Sequence, residues 1–231
     1  MKKVFSIVMV LSALMLIFTG NTNAQKKKSF SGSITFEITY GGSIDAAQLA
    51  QLPKTAVMKI LGNKTRLETG GGVETTITDG DSKTILILLD IAQMGKKFAI
   101  KQTKQQIDDQ LKDQPAPIIK YIDETKEIAG FKVKKAEILS ISKEGNDTVK
   151  VVCWYTEEIG SQDINFAAQF RGLNGQALEY SINTPDISMT YIAKEIKKGN
   201  VKATDFLQPT DYEETTMDKI REMFGVGGEE E

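Results

Sequence analysis

Histidine is absent from the 231-residue sequence, and cysteine occurs once, as Cys153. Without histidine, Ser-His-Asp and Cys-His catalysis and the histidine-containing zinc sites are excluded. A single cysteine cannot form an internal disulfide. The sequence also lacks the Gly-x-Ser-x-Gly elbow of hydrolases and the phosphate-binding loop that ends in Gly-Lys-Ser/Thr. These absences predict a protein that is not an enzyme and that holds no cofactor or metal ion.

The sequence has no large excess of either charge. Its 29 Lys and Arg residues nearly balance 31 Asp and Glu residues, which leaves a net charge of −2. A nucleic-acid-binding surface requires an excess of basic residues, so nucleic acid is not an expected partner. Hydrophobic residues make up 40% and charged residues 26% of the chain, a balance that is typical of a globular protein.

Long hydrophobic runs are also missing, with one exception at the N-terminus. Residues Val4 to Phe18 are almost all apolar, follow Lys2 and Lys3, and precede small residues up to Ala24. This order is typical of a secretory signal peptide, which predicts cleavage after Ala24. No later run reaches the roughly 18 to 20 residues that cross a bilayer. Because the first mature residue would be Gln25 and not a lipobox cysteine, we expect a periplasmic or secreted protein with no transmembrane segment.

Strand patterns dominate the rest of the sequence. Apolar and polar residues alternate from Ile34 to Tyr40, which predicts a half-buried strand. The run from Ile85 to Leu89 is apolar without alternation and predicts a strand covered on both faces. Between strand patterns, Asp79 to Asp81 predicts a hairpin turn, which is favoured over a calcium loop because the Asp-x-Asp-x-Asp-Gly spacing is absent. Further strands are predicted over 56–61, 65–69, 73–77, 97–103, 125–142, 148–158, 176–183 and 187–196.

Helical patterns are few and short. They predict helices at 47–52 and 105–114, and a C-terminal helix from Tyr212 to Phe224 with Asp211 as its cap. Residues 225–231 are glycine-rich and then acidic, which predicts a flexible tail. We therefore expect a mainly β protein with minor α content, made of a signal peptide at 1–24, one antiparallel β domain at 25–224, and the tail.

Two features have both a structural and a functional interpretation. Cys153 stands between Val152 and Trp154 in a strand pattern, so we interpret it as a small buried residue and not as a reactive thiol. Four lysines form a basic strip: Lys126, Lys132, Lys134 and Lys135. We interpret the strip as a solvated outer face of the sheet, and the alternative is a binding site for an anionic headgroup.

Several short motifs resemble those of a secreted envelope family of Gram-negative bacteria. They are Ile-Ala-Gly-Phe-Lys-Val-Lys-Lys-Ala at 128–136, Val-Cys-Trp-Tyr-Thr-Glu-Glu-Ile at 152–159, Phe-Arg-Gly-Leu-Asn-Gly at 170–175 and Phe-Leu-Gln-Pro at 206–209. The family is an uncharacterised DUF-type group related to GLPGLI-type proteins and, more distantly, to LolA-like lipoprotein carriers. The resemblance implies a strongly curved antiparallel half-barrel whose concave face is covered by helices and, in the carriers, shelters acyl chains.

An apolar groove is the functional expectation, because the strand patterns carry more apolar stripes than the few helices can cover. A fully packed core with no ligand is the alternative. We expect a non-catalytic β domain that binds an acyl chain, lipid or lipoprotein, or else a structural or interaction module of the cell envelope that pairs through its sheet with another protein. The candidate groove residues are Phe36, Met58, Ile60, Phe98, Tyr180, Met189 and Tyr191.

Overall fold

A single sheet organises the computed structural model, which describes residues 29–141, 148–183 and 187–224. The signal peptide at 1–24 and the tail at 225–231 lie outside the described residues. Within them the sheet has 12 strands, and with three short α-helices it confirms the predicted mainly β class. The strands are β1 (Ser31–Gly42), β2 (Thr55–Leu61), β3 (Lys64–Thr69), β4 (Glu74–Asp79), β5 (Thr84–Ile91), β6 (Lys96–Gln102), β7 (Ile118–Ile128), β8 (Phe131–Ile141), β9 (Thr148–Thr156), β10 (Gln176–Asn183), β11 (Ile187–Lys198) and β12 (Glu213–Thr215). The α-helices are α1 (Ala46–Gln51), α2 (Lys104–Leu111) and α3 (Met217–Met223).

The strand order shows two meanders joined at β1. Hydrogen bonds connect the strands in the order β12-β6-β5-β4-β3-β2-β1-β11-β10-β9-β8-β7. Strand β1 therefore lies between β2, which opens the first meander, and β11, which closes the second. The described neighbours are antiparallel except for β12, which pairs in parallel with β6. The antiparallel arrangement expected from the alternating patterns is thus correct for all but this short edge strand.

The connection between β6 and β7 requires a curved sheet. These strands are consecutive in the chain but ten strand spacings apart in the sheet, which would be ~48 Å if the sheet were flat. The connection includes α2, whose rise per residue is short, so it reaches only about 40 Å. Because the connection is too short for a flat sheet, the two ends of the sheet must curl toward each other.

The main core lies on one face of this sheet, which we call the inner face. It carries Ile34, Phe36 and Ile38 of β1, because alternate residues of a strand point to the same side. The register places Met58 opposite Ile34 and Tyr191 opposite Ile38. Residues 157–175, between β9 and β10, pack over the inner face and form the covering segment. It contains two turns of 3-10 helix, at Gln162–Asn165 and Ala168–Phe170.

The C-terminal segment passes around the β6 edge of the sheet. Phe206 and Tyr212 pack on the outer face, β12 extends the edge, and Met217 and Ile220 of α3 pack on the inner face. Strand β5 is therefore covered on both sides, as its uninterrupted apolar run predicts. The covered strand residues are Ile77, Leu88 and Ala99 outside and Phe98 and Ile100 inside.

Two predicted elements are corrected by the structure. The C-terminal helix begins at Met217, because Thr216 accepts a hydrogen bond from the Lys219 amide at 3.3 Å and the preceding residues form β12. The single strand predicted over 125–142 is a hairpin of β7 and β8. Its turn residues Ala129 and Gly130 both have positive φ angles, 48° and 80°, as a tight type I′ turn requires.

Candidate functional site

A cavity of about 320 Å³ separates the inner face of β2 to β5 from the covering segment. Strands β2, β3 and β5 supply its apolar floor, and β10 and β11 form one wall. Residues 164–170 of the covering segment close the opposite side. The apolar lining consists of Met58, Leu67, Ile85, Ile164, Phe170, Tyr180, Ile182 and Tyr191, with Ala167 beside them.

Three aromatic rings in contact form the aromatic wall of the cavity. Phe170 meets Tyr180 edge to face at 4.9 Å between ring centroids, and Tyr180 stacks on Tyr191 at 4.9 Å. Phe36 packs beneath both tyrosines at 6.1 and 6.3 Å. Burial raises the pKa of Tyr180 and of Tyr191 above the ordinary value of 10.0, so both phenols are neutral at physiological pH. The wall therefore offers uncharged aromatic surface.

The polar part of the lining carries no charge either. Thr65 of β3 faces Thr78 of β4 across the ladder, and Thr76 lies two residues before Thr78 on the same side. The Gln176 side-chain amide donates to the Ala177 carbonyl at 2.9 Å. Asn165 and Gln169 complete the polar lining. No Asp, Glu, Lys or Arg among the described residues lines this cavity, so it suits a neutral, largely apolar group.

The covering segment is held in place by defined contacts. The Asn165 amide nitrogen donates to the carbonyls of Leu173 at 2.9 Å and Gly175 at 2.7 Å. The Ser161 hydroxyl donates to the side chain of Asn63 at 2.9 Å, which ties the segment to the β2–β3 turn. The side chain of Leu173 is fully buried in the main core. These contacts between protein groups fix the position of the covering segment relative to the sheet.

A second, more polar cavity of about 650 Å³ adjoins the first. Asn165 lines both cavities, so the two cavities meet at this residue. Lys83 lies at 2.8 Å from the Asp163 carboxylate and 5.2 Å from the centroid of the Phe166 ring. Arg171 donates a hydrogen bond to the Pro115 carbonyl. The second cavity thus combines two cations with one carboxylate.

The structure brings three of the seven predicted groove residues together. Met58, Tyr180 and Tyr191 line the apolar cavity. Phe36 and Ile60 are fully buried in the main core and do not reach the cavity surface. Alternation along a strand identifies the face a residue points to, but it does not show where that face is packed and where it stays open.

The other two predicted groove residues lie elsewhere. Met189 is half-buried against the main core, and Phe98 lies beneath α3 in a separate cluster. Six apolar lining residues were not predicted: Leu67, Ile85, Ile164, Ala167, Phe170 and Ile182. Strand patterns were available as a signal for Leu67, Ile85 and Ile182. The other three belong to the covering segment, which has no regular hydrophobic period.

Cys153 is fully buried in the main core, as predicted from its strand pattern. Burial raises the pKa of its thiol to about 12, so it is protonated at physiological pH. A thiol without a thiolate fraction is a poor nucleophile. This environment supports a structural role for the residue.

The predicted basic strip is interleaved with carboxylates and an indole ring. Lys126 lies 4.3 Å from the centroid of the Trp154 ring and 2.6 Å from Glu179. The other described ion pairs of the strip are Lys134 with Glu157 at 3.2 Å and Lys135 with Glu124 at 3.0 Å. These pairs offset most of its positive charge, which favours the solvated outer face over an anion site.

The described residues lack two other features. No group of three or more acidic or cysteine side chains there is arranged to hold a metal ion. None of the helices in the described part of the chain is both long and apolar enough to cross a membrane.

No protein-family model matches the chain, and no curated protein matches it. Among solved structures, that of PNGF-II is similar, with a TM-score of 0.52 and 16% sequence identity. The match covers 85% of this chain and 33% of PNGF-II, so this chain spans about a third of the length of that protein. At this level of identity the two proteins share a fold, and the likeness carries no information on activity.

Proposed function

We propose that this protein is a non-catalytic, secreted or periplasmic β domain that binds an acyl chain in the apolar cavity. The observation that carries the proposal is an uncharged cavity of about 320 Å³ between the sheet and the covering segment. Ligand cavities range over about 300–1,000 Å³ and are mostly apolar. This one is at the small end of that range, which favours one chain of a lipid or lipoprotein over several.

The expected affinity follows from the apolar surface that a chain would bury. Each buried methylene contributes about 0.8 kcal/mol, so ten methylenes contribute about 8 kcal/mol before the entropy losses of binding. Because a net value of about 8 kcal/mol would correspond to a Kd of about 1 μM, the entropy losses make the expected Kd weaker than this. Because the hydrogen bonds of Asn165 and Ser161 and the buried Leu173 side chain hold the covering segment, little binding energy is lost in ordering it.

Filling the cavity with a protein side chain tests the proposal. Thr76→Phe places a ring in the cavity from β4, whereas Thr39→Phe places the same ring on the exposed outer side of β1. We expect saturable uptake of a fluorescent fatty acid by the wild type, at least tenfold weaker uptake by Thr76→Phe, and unchanged uptake by Thr39→Phe. Circular dichroism checks that both variants fold. Absence of saturable uptake by the folded wild type would contradict the proposal.

A specific observation supports the second candidate, an interaction module of the cell envelope. Among the described strands, β7 has a neighbour on one side only, and two of its large side chains are exposed, Ile118 at 56% and Tyr121 at 53%. An open edge with exposed apolar side chains can accept a strand from another protein. A photo-reactive side chain at Ile118 should then crosslink to a discrete envelope protein, while the same group at exposed Leu207 should not. Equal labelling from both positions would count against strand pairing.

A further inference from the structure

The covering segment presents different chemistry to its two cavities. Phe170 places its ring in the apolar cavity, and the next residue, Arg171, lines the polar one. Asn165 borders both. A molecule that spans this border would meet aromatic and aliphatic surface at one end and a guanidinium group at the other. That is the pattern of an amphiphile site.

The charge in the polar cavity is only partly compensated. The positive charge of Lys83 is paired with Asp163 at 2.8 Å. Arg171 is half-buried, its guanidinium donates to a carbonyl, and it forms no ion pair with any residue of the described ranges. One positive charge therefore remains without a carboxylate partner there. A guanidinium group has five donors in a planar fork that fits a carboxylate.

We propose that the ligand is a single-chain carboxylate, a fatty acid whose chain occupies the apolar cavity and whose carboxylate binds Arg171, with Lys83 nearby. This inference rests on the proposed function, because it assigns a headgroup to the same ligand. One uncompensated cation matches the single charge of a carboxylate. A phosphomonoester, with a charge near −2 at neutral pH, would leave one negative charge unmatched.

Calorimetric titration with ligands of equal chain length tests the assignment. The ligands are decanoate, decyl phosphate and decanol, and the proteins are the full wild-type chain, Arg171→Gln, Arg171→Lys and the control Lys132→Gln. Lys132 is an exposed lysine of β8 that lines neither cavity. We expect the wild type to bind decanoate at least tenfold more tightly than decanol. Arg171→Gln should lose that difference, Arg171→Lys should recover part of it, and Lys132→Gln should keep it.

Each outcome separates the headgroup assignment from the proposed function. Equal affinity of the wild type for decanoate and decanol would overturn the carboxylate site but leave the acyl-chain proposal intact. Tighter binding of decyl phosphate than of decanoate, lost in Arg171→Gln, would overturn the carboxylate in favour of a phosphate headgroup. If the folded wild type binds none of the three ligands, the proposed function itself fails.

Discussion

Gly175 shows how one backbone position holds the covering segment against the sheet. Its φ angle is +127°, and a Cβ atom there would lie 2.2 Å from the Thr156 carbonyl oxygen. The Gly175 carbonyl also accepts the hydrogen bond from Asn165 at 2.7 Å. Close backbone approach and a left-handed φ are both conditions that only glycine meets without strain.

We predict that Gly175→Ala destabilises the protein by about 2–4 kcal/mol, because the methyl group must displace backbone in addition to adopting an unfavourable φ. Gly199→Ala is the matched control. Its φ is +88° but no atom lies within 4 Å of the added Cβ, so it should lose only about 1 kcal/mol. Urea denaturation measures both. Equal losses would show that the close approach to Thr156 does not matter.

A second prediction for a single residue concerns Cys153. Because its thiol is fully buried and its pKa is raised to about 12, it should not react with a thiol reagent in the native state, and it should react fully in urea. Cys153→Ala should cost about 1–2 kcal/mol of unfolding free energy through the small cavity it leaves. Fast labelling of the folded protein at neutral pH would show that the thiol is accessible.

At the scale of helices and strands, the C-terminal helix α3 shows most clearly that packing fixes the position of an element. Helix α3 is only seven residues long, too short to be stable alone, so its position depends on packing against β6. Ile220 is its buried contact with Phe98 and Ile100. The parallel pairing of β12 adds a second attachment at the same edge.

We predict that Ile220→Ala lowers the unfolding free energy by about 2–3 kcal/mol, because it removes the apolar contact that holds α3 to the sheet. Met223→Ala changes an exposed side chain of the same helix and should stay within about 0.5 kcal/mol of the wild type. Thermal or urea unfolding checks both. A small effect of Ile220→Ala would mean that α3 contributes little to the fold.

Elements with a clear sequence period were predicted well. Alternation identified β1, and the turn at Asp79 to Asp81 was correctly placed between β4 and β5. The hairpin at Ala129 and Gly130 was missed, since an alanine at positive φ has no sequence signature. The covering segment was also missed, because its position depends on distant contacts such as Asn63 with Ser161. The third of the cavity lining that this segment supplies, five of 15 residues, therefore lay beyond prediction from local patterns.

At the scale of the whole molecule, buried tyrosines link stability to pH. Burial raises the pKa of Tyr155 to about 12, and it raises that of Tyr180 well above the ordinary 10.0. Below pH 9 both phenols are protonated in the folded and the unfolded chain, so they cause no pH dependence. Above pH 10 the unfolded chain loses these protons while the folded chain keeps them, so stability must fall as pH rises.

We predict a loss of up to about 1.4 kcal/mol per pH unit for each of these tyrosines between pH 10 and the folded-state pKa. Tyr155→Phe and Tyr180→Phe should each reduce the slope, while leaving the dependence between pH 7 and 9 unchanged. Urea denaturation from pH 7 to 11.5 measures the slope. A wild-type stability that stays constant to pH 11 would show that these phenols ionise in the folded state.

The central claim, that the space under the covering segment admits an acyl chain, is tested most directly by methyl NMR during a titration with decanoate. The Met58, Ile85 and Ile164 methyl groups line the cavity, whereas Ile220 and Met223 lie on α3 away from it. We predict saturable shifts for the first three methyl groups and none for the two on α3. Unchanged signals from Met58, Ile85 and Ile164 at saturating decanoate would contradict the account.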